Sequence, residues 1–230
     1  MDMVSRRSFI GSVTGVAVAA GVGGYLAGNI PSVSAKQIDP VLGFTGLTAQ
    51  TEPPRQADHT VRLTIAPRPP VPIPEFYFEP TGLFVQPAQT VKFAADTPHH
   101  SVSAFHPEHG RMRRVPEGVP AFSSPVLPIG SYWLYTFEKE GVYDMFCGPH
   151  EYFGMVMRVV VGSATGPGTT AVPPPFPLPG EDEPVPPLLT GALVLGDPAL
   201  NPSNIMGKGS VNWANLAPES KRPLLAPVEG

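Results

Sequence analysis

Gly141-Val142-Tyr143-Asp144-Met145-Phe146-Cys147-Gly148-Pro149-His150-Glu151-Tyr152-Phe153-Gly154-Met155-Val156-Met157-Arg158-Val159-Val160-Val161 holds a strand, a short loop and a second strand in one run. Aromatic and β-branched residues crowd both flanks, as they do in strands. The loop between reads C-x2-H-x4-M. It offers a thiol, an imidazole and a thioether within nine residues. A second source of imidazole, His99-His100, lies well upstream. One thiolate, two imidazoles and a weak axial thioether are the donors of a mononuclear blue-copper centre, whose chemistry is one-electron transfer. Cys147 is the only cysteine of the chain. It cannot close a disulfide within the chain, so metal binding has few rivals for its role.

Working outward, the same period-2 patterning recurs. Thr60–Ile65 alternates polar and apolar residues. Leu83–Gln86 and Thr90–Ala94 flank a Pro87-Ala88 turn, and His100–Phe105 and Tyr132–Phe137 are strand-like. Short strands between Gly/Pro turns, with no long 3.6-period segment, predict an all-β Greek-key sandwich over residues 59–162. Lys139-Glu140-Gly141 reads as a hairpin turn. Pro107–Pro128 reads as a long excursion with room for one helical turn. Tyr132, Trp133 and Phe137 are expected as core aromatics.

On such a scaffold, Cys147 ends one strand and Met155 opens the next, so the loop can present Cys147, His150 and Met155 to one metal. The upstream imidazole comes from a strand end, so the metal would join two parts of the sandwich. Either His99 or His100 can supply it. Pro149 stiffens the loop because its φ is fixed. Met157 competes with Met155 but is expected as a strand residue. His106 and His109 raise the question of a second metal and are expected as solvated side chains on an exposed loop.

The ends of the chain differ in kind from its middle. Ser5-Arg6-Arg7-Ser8-Phe9-Ile10 and the Gly/Ala-rich apolar run behind it form the layout of a twin-arginine export signal, residues 1–35, with Val33-Ser34-Ala35 as a cleavage site. Retained, the same segment would tether the protein to the outer face of the cell membrane. Residues 36–58 are expected as a linker. Fourteen of the 32 prolines follow Ser163, which predicts a Pro-rich spacer at 163–187. A C-terminal tail of unknown role, 188–230, follows it. The net charge of −4, without a basic cluster, argues against nucleic acid as a partner.

These residues carry a resemblance. Phe146-Cys147-Gly148-Pro149-His150-Glu151-Tyr152-Phe153-Gly154-Met155 is similar to the Y/F-C-x-P-H-x-x-x-G-M loop of type I blue-copper cupredoxins such as plastocyanin, pseudoazurin, amicyanin and the halocyanins. Gly141-Val142-Tyr143 resembles the lead-in to that loop, and His100-Ser101-Val102 the strand with the first ligand. The resemblance covers about residues 76–162. It implies one type I copper per chain, held by His100, Cys147, His150 and axial Met155, with His100 preferred over His99. It implies that Ser101 ties the two ligand loops together. It also implies an electron carrier rather than an enzyme, and this carrier is expected to be exported by the leader at 1–35 and to be a monomer. Such a carrier would meet redox partner proteins through a small apolar patch around His150, with Pro149, Tyr152 and Phe153 near it. The alternative is a copper carrier or storage protein of the cell envelope. A copper enzyme would need a second copper and a second such domain, and only one domain fits here.

Overall fold

Val61 and Leu63 are fully buried while Thr60 and Arg62, which alternate with them, face solvent, so this stretch has one apolar face and forms a strand. The computed structural model describes residues 38–170 and 190–221. Its strands are β1 (Phe44–Leu47), β2 (His59–Arg68), β3 (Val71–Glu79), β4 (Gly82–Val85) and β5 (Gln89–Ala95). β6 (Ser103–Ala104), β7 (Ser131–Phe137), β8 (Gly141–Phe146), β9 (Val156–Val161) and β10 (Ser210–Val211) follow. They make two five-stranded sheets, β1-β7-β5-β2-β3 and β10-β4-β9-β8-β6. β2 runs parallel to β5 and β4 parallel to β9; the other pairings are antiparallel. The expected β-sandwich is the fold.

One core lies between the sheets. Val61, Leu63, Phe78, Val91, Phe93, Trp133, Tyr135 and Phe137 come from the first sheet. Leu83, Val85, Tyr143, Met145, Met157, Val159 and Val161 meet them from the second. Phe122, from the excursion between β6 and β7, packs on Tyr135 with ring centroids 4.1 Å apart. Tyr132, Trp133 and Phe137 are buried. Trp133 donates its indole N–H to the Leu42 carbonyl at 2.8 Å, as a buried indole needs.

Several local expectations change. Residues 36–58 do not act simply as a linker: Phe44–Leu47 pairs with Ser131–Leu134 at the sheet edge. β3 has no counterpart among the expected strands; Pro72 and Pro74 in it lack N–H donors, and it occupies an edge where those donors are not needed. Lys139-Glu140-Gly141 is not a hairpin turn. β7 and β8 belong to different sheets, so the turn carries the chain across the sandwich. Long-range pairing decides between a hairpin and a crossing, and β7 takes β5 and β1 while β8 takes β9 and β6. Gly141 has φ +131°, and a Cβ there would meet Pro116 at 2.7 Å. Within His100–Phe105 only Ser103–Ala104 is strand, while His100 makes an isolated bridge to Leu127. Pro107–His109 is a single 3-10 turn.

The described part of the tail is built onto the sandwich. A helix at Thr190–Leu195 and a second at Pro202–Lys208 pack on the outer face of the second sheet, and β10 pairs with β4 at its edge. Val194, Leu195, Leu200, Ile205, Val211, Trp213 and Leu216 cluster there with Val142, Phe146, Val156 and Val160. β8 and β9 are therefore buried on both faces. Beneath the tail, Asp144 receives hydrogen bonds from Arg114 Nε at 2.6 Å and Arg158 Nε at 2.7 Å. Arg158 also donates to the Leu200 carbonyl at 2.9 Å and Arg114 to that of Gly168 at 3.1 Å. Trp213 stacks on Tyr77 of β3 at 5.3 Å. Among the described residues no helix is long and apolar enough to cross a membrane. The segment expected as an export signal, 1–35, most of the expected Pro-rich spacer and residues 222–230 lie outside the described residues.

Candidate metal centre

The centre sits where β8 leaves the second sheet. β8 alternates, so Tyr143 and Met145 join the inner core while Phe146 faces the tail. Cys147 therefore enters the interior between the sheets and is fully buried. Behind it a 3-10 turn, Gly148–Phe153, swings His150 back. The His150 N–H donates to the Cys147 carbonyl at 3.0 Å, and the Cys147 N–H to the Met155 carbonyl at 2.9 Å. Gly154 closes the turn at φ +86°, in the left-handed region where a side chain is strained. This lets Met155 return its N–H to the His150 carbonyl at 3.2 Å.

His100 arrives from the other side of the fold. His99 has φ +66°, and this left-handed residue leaves its own ring in solvent while His100 is fully buried. His100 exchanges backbone hydrogen bonds with Leu127. One donor atom each from His100, Cys147 and His150 lies within 4.8 Å of the others. Cys147 Sγ is 3.4 Å from His150 Nδ1 and 3.8 Å from His100 Nδ1. The two imidazoles meet edge to face at 5.0 Å. Met155 is buried in the same core, and Met157 lies in β9 opposite Met145.

Ser101 joins the segment that carries His100 to the one that carries Cys147. Its N–H donates to Cys147 Sγ at 3.3 Å, and its Oγ accepts from the Gly148 N–H at 2.8 Å. Burial pushes the Cys147 thiol up to about 11, against the Ser101 N–H and His150, which pull it down. Burial, and then the neighbouring His150, hold His100 neutral by lowering it to about 4. Burial and then His99 lower His150 as well. Neutral imidazoles are the form that ligates a metal.

Three supports had no signal in the sequence. Thr97 Oγ1 lies 2.8 Å from His100 Nε2. Phe76 of β3 packs on the His150 ring at 4.5 Å and on Phe153 at 4.8 Å. Arg111 grips Glu151, the neighbour of His150, through Nε at 3.0 and 3.1 Å and through Nη2 at 2.6 Å. Arg111 falls in the excursion that sequence patterning leaves unassigned. Beside His150, Tyr152 is exposed, whereas Phe153 is half-buried against Phe76.

His106 and His109 are not solvated loop residues. His106 is 3% exposed and its Nδ1 accepts the Glu108 N–H at 3.2 Å. His109 is partly buried and its Nδ1 donates to the Ala104 carbonyl at 2.9 Å. The 3-10 turn they bracket folds them against Phe146 and the backbone.

Two imidazole nitrogens and a cysteine sulfur converging in a buried pocket are a copper donor set. Residues 71–162 match the family of copper binding proteins known as plastocyanin/azurin. This part of the chain is similar to that family, and copper is the cofactor that its His, Cys and His donors fit. The chain is similar to pseudoazurin of Methylorubrum extorquens, 32% identical over 85 residues, covering 37% of this chain and 51% of that one. A putative pseudoazurin of Rhizobium leguminosarum bv. viciae is 35% identical over 85 residues, covering 37% and 50%. The chain thus spans about half the length of the curated relatives it matches. Among solved structures, native pseudoazurin from Hyphomicrobium denitrificans is similar at 27% identity and a TM-score of 0.37, covering 46% of this chain and 76% of that one.

Proposed function

We propose that this protein is a type I copper electron carrier working outside the cytoplasm, with His100, Cys147 and His150 as the principal ligands and Met155 as the axial one. The observation that carries the reading is the convergence of one donor atom each from His100, Cys147 and His150 within 4.8 Å. Copper, when bound, supplies a one-electron Cu(I)/Cu(II) couple. The chain supplies the rest. The sandwich fixes Cys147 and His100 from two different segments, and Ser101 bridges them through its N–H and its hydroxyl. The Arg111–Glu151 pair and Phe76 hold the turn that carries His150. Donors held by a rigid frame move little between oxidation states, which favours fast exchange.

His150 is the half-buried member of the set, and Tyr152 is exposed two residues on. A small patch around them suits brief encounters with redox partner proteins, whose interfaces bury less than about 1,200 Å². The paired arginines at Arg6-Arg7 support export by the twin-arginine route.

The test is a redox titration of the copper-loaded protein. A single reversible one-electron wave, with the blue colour lost on reduction and restored on reoxidation, is the expected result. Bound copper without reversible colour would instead support a carrier or storage role and overturn the proposal.

A further inference from the structure

We propose that Thr97 is a positioning residue that fixes the tautomer of His100, so that the Nδ1 lone pair faces Cys147 and His150. The inference deepens the ligand role of His100 proposed above and rests on it. Imidazole is a ligand through an unprotonated nitrogen, and the partner of the other nitrogen decides which one that is. In His100 the inward nitrogen is Nδ1, 3.8 Å from Cys147 Sγ, and the outward one is Nε2, 2.8 Å from Thr97 Oγ1.

A hydroxyl can donate or accept, so the direction of that bond follows from what else Thr97 touches. Its Oγ1 accepts the Ile65 N–H at 2.8 Å, and its own proton has an acceptor in the Leu63 carbonyl at 3.4 Å. With the proton committed there, the remaining lone pair accepts from Nε2–H. The opposite tautomer would place a proton on Nδ1, pointing at the Cys147 sulfur, and would take the hydroxyl proton from Leu63. Ile65 and Leu63 belong to β2, so the first sheet sets the orientation of a ring whose partners Cys147 and His150 hang from the second.

The tautomer can be read without metal. In ¹⁵N-labelled copper-free protein, two-bond imidazole correlations are expected to show His100 as a single Nε2–H form in the wild type and in Thr97→Ser. In Thr97→Val they should show a mixture of forms. Copper affinity should fall about 10–100-fold in Thr97→Val, the usual cost of losing such a support, and recover in Thr97→Ser. An Nδ1–H form in the wild type overturns the inference, and that spectrum suffices even if Thr97→Val fails to fold. A Thr97→Val protein with wild-type tautomer and copper affinity also overturns it. A protein that never turns blue would sink the proposed function, while the tautomer of the copper-free protein would still decide the role of Thr97.

Discussion

At the residue scale, the C-x2-H-x4-M loop was legible because its donors are few and closely spaced. The lone Cys147, with Pro149 and Gly154 at fixed offsets, leaves few alternative readings. Ser101 was legible only through resemblance, and the structure places its N–H and hydroxyl between the two ligand segments. Thr97, Phe76 and Arg111 were not legible. Each touches the site through a contact distant in sequence or through a segment without periodicity. For the two methionines, Met155→Leu is expected to keep copper and shift the reduction potential, because the axial ligand, the role proposed for Met155, tunes it. Met157→Leu, inside β9, is expected to leave the potential in place. Voltammetry of both variants distinguishes them, and a shift in the second but not the first would reverse the assignment.

At the element scale, β8 and β9 read as strands because Val, Tyr and Phe are dense there. Their burial on both faces was not legible, since it depends on tail residues far along the chain, Val194 to Leu216. Asp144 and Arg158 are the trace of it: charged residues in the middle of strands with no solvent-exposed face. A buried charge needs partners, and Asp144 has two guanidinium groups. Removing one member of such a set is strongly destabilising because the other charges stay buried. Asp144→Asn is expected to cost about 3–5 kcal/mol, measured by urea unfolding of the copper-free protein. A loss under about 1 kcal/mol would mean that water reaches the arginines and that the tail is not closed over them. β3 shows the opposite case. Prolines are unsuited to a central strand, and the place of β3 at the sheet edge is what makes Pro72 and Pro74 acceptable.

At the scale of the whole molecule, composition and strand spacing were enough for the sandwich class, while the route of the chain between sheets came from pairings that periodicity does not encode. The excursion after β6 is equally non-local, and it buries His106. Burial and then the Arg113 charge lower the pKa of His106, and its Nδ1 already accepts the Glu108 N–H. The unfolded chain takes up that proton near the ordinary value of about 6.5, and the folded protein does so only at lower pH. The stability His106 contributes is therefore complete above about pH 6.5 and is lost as pH falls through the lowered value. Urea midpoints between pH 5 and 7 should fall with pH in the wild type and fall less in His106→Gln. Equal slopes would show that His106 titrates alike in both states.

The central claim, that Cys147 and two imidazoles hold one copper, is tested most directly by the visible spectrum of the Cu(II)-loaded protein beside its Cys147→Ser variant. An intense blue absorption in the wild type that is absent in Cys147→Ser is the expected result, because the colour arises from the thiolate–copper bond. Blue colour surviving in Cys147→Ser, or a colourless wild type with copper bound, would contradict it.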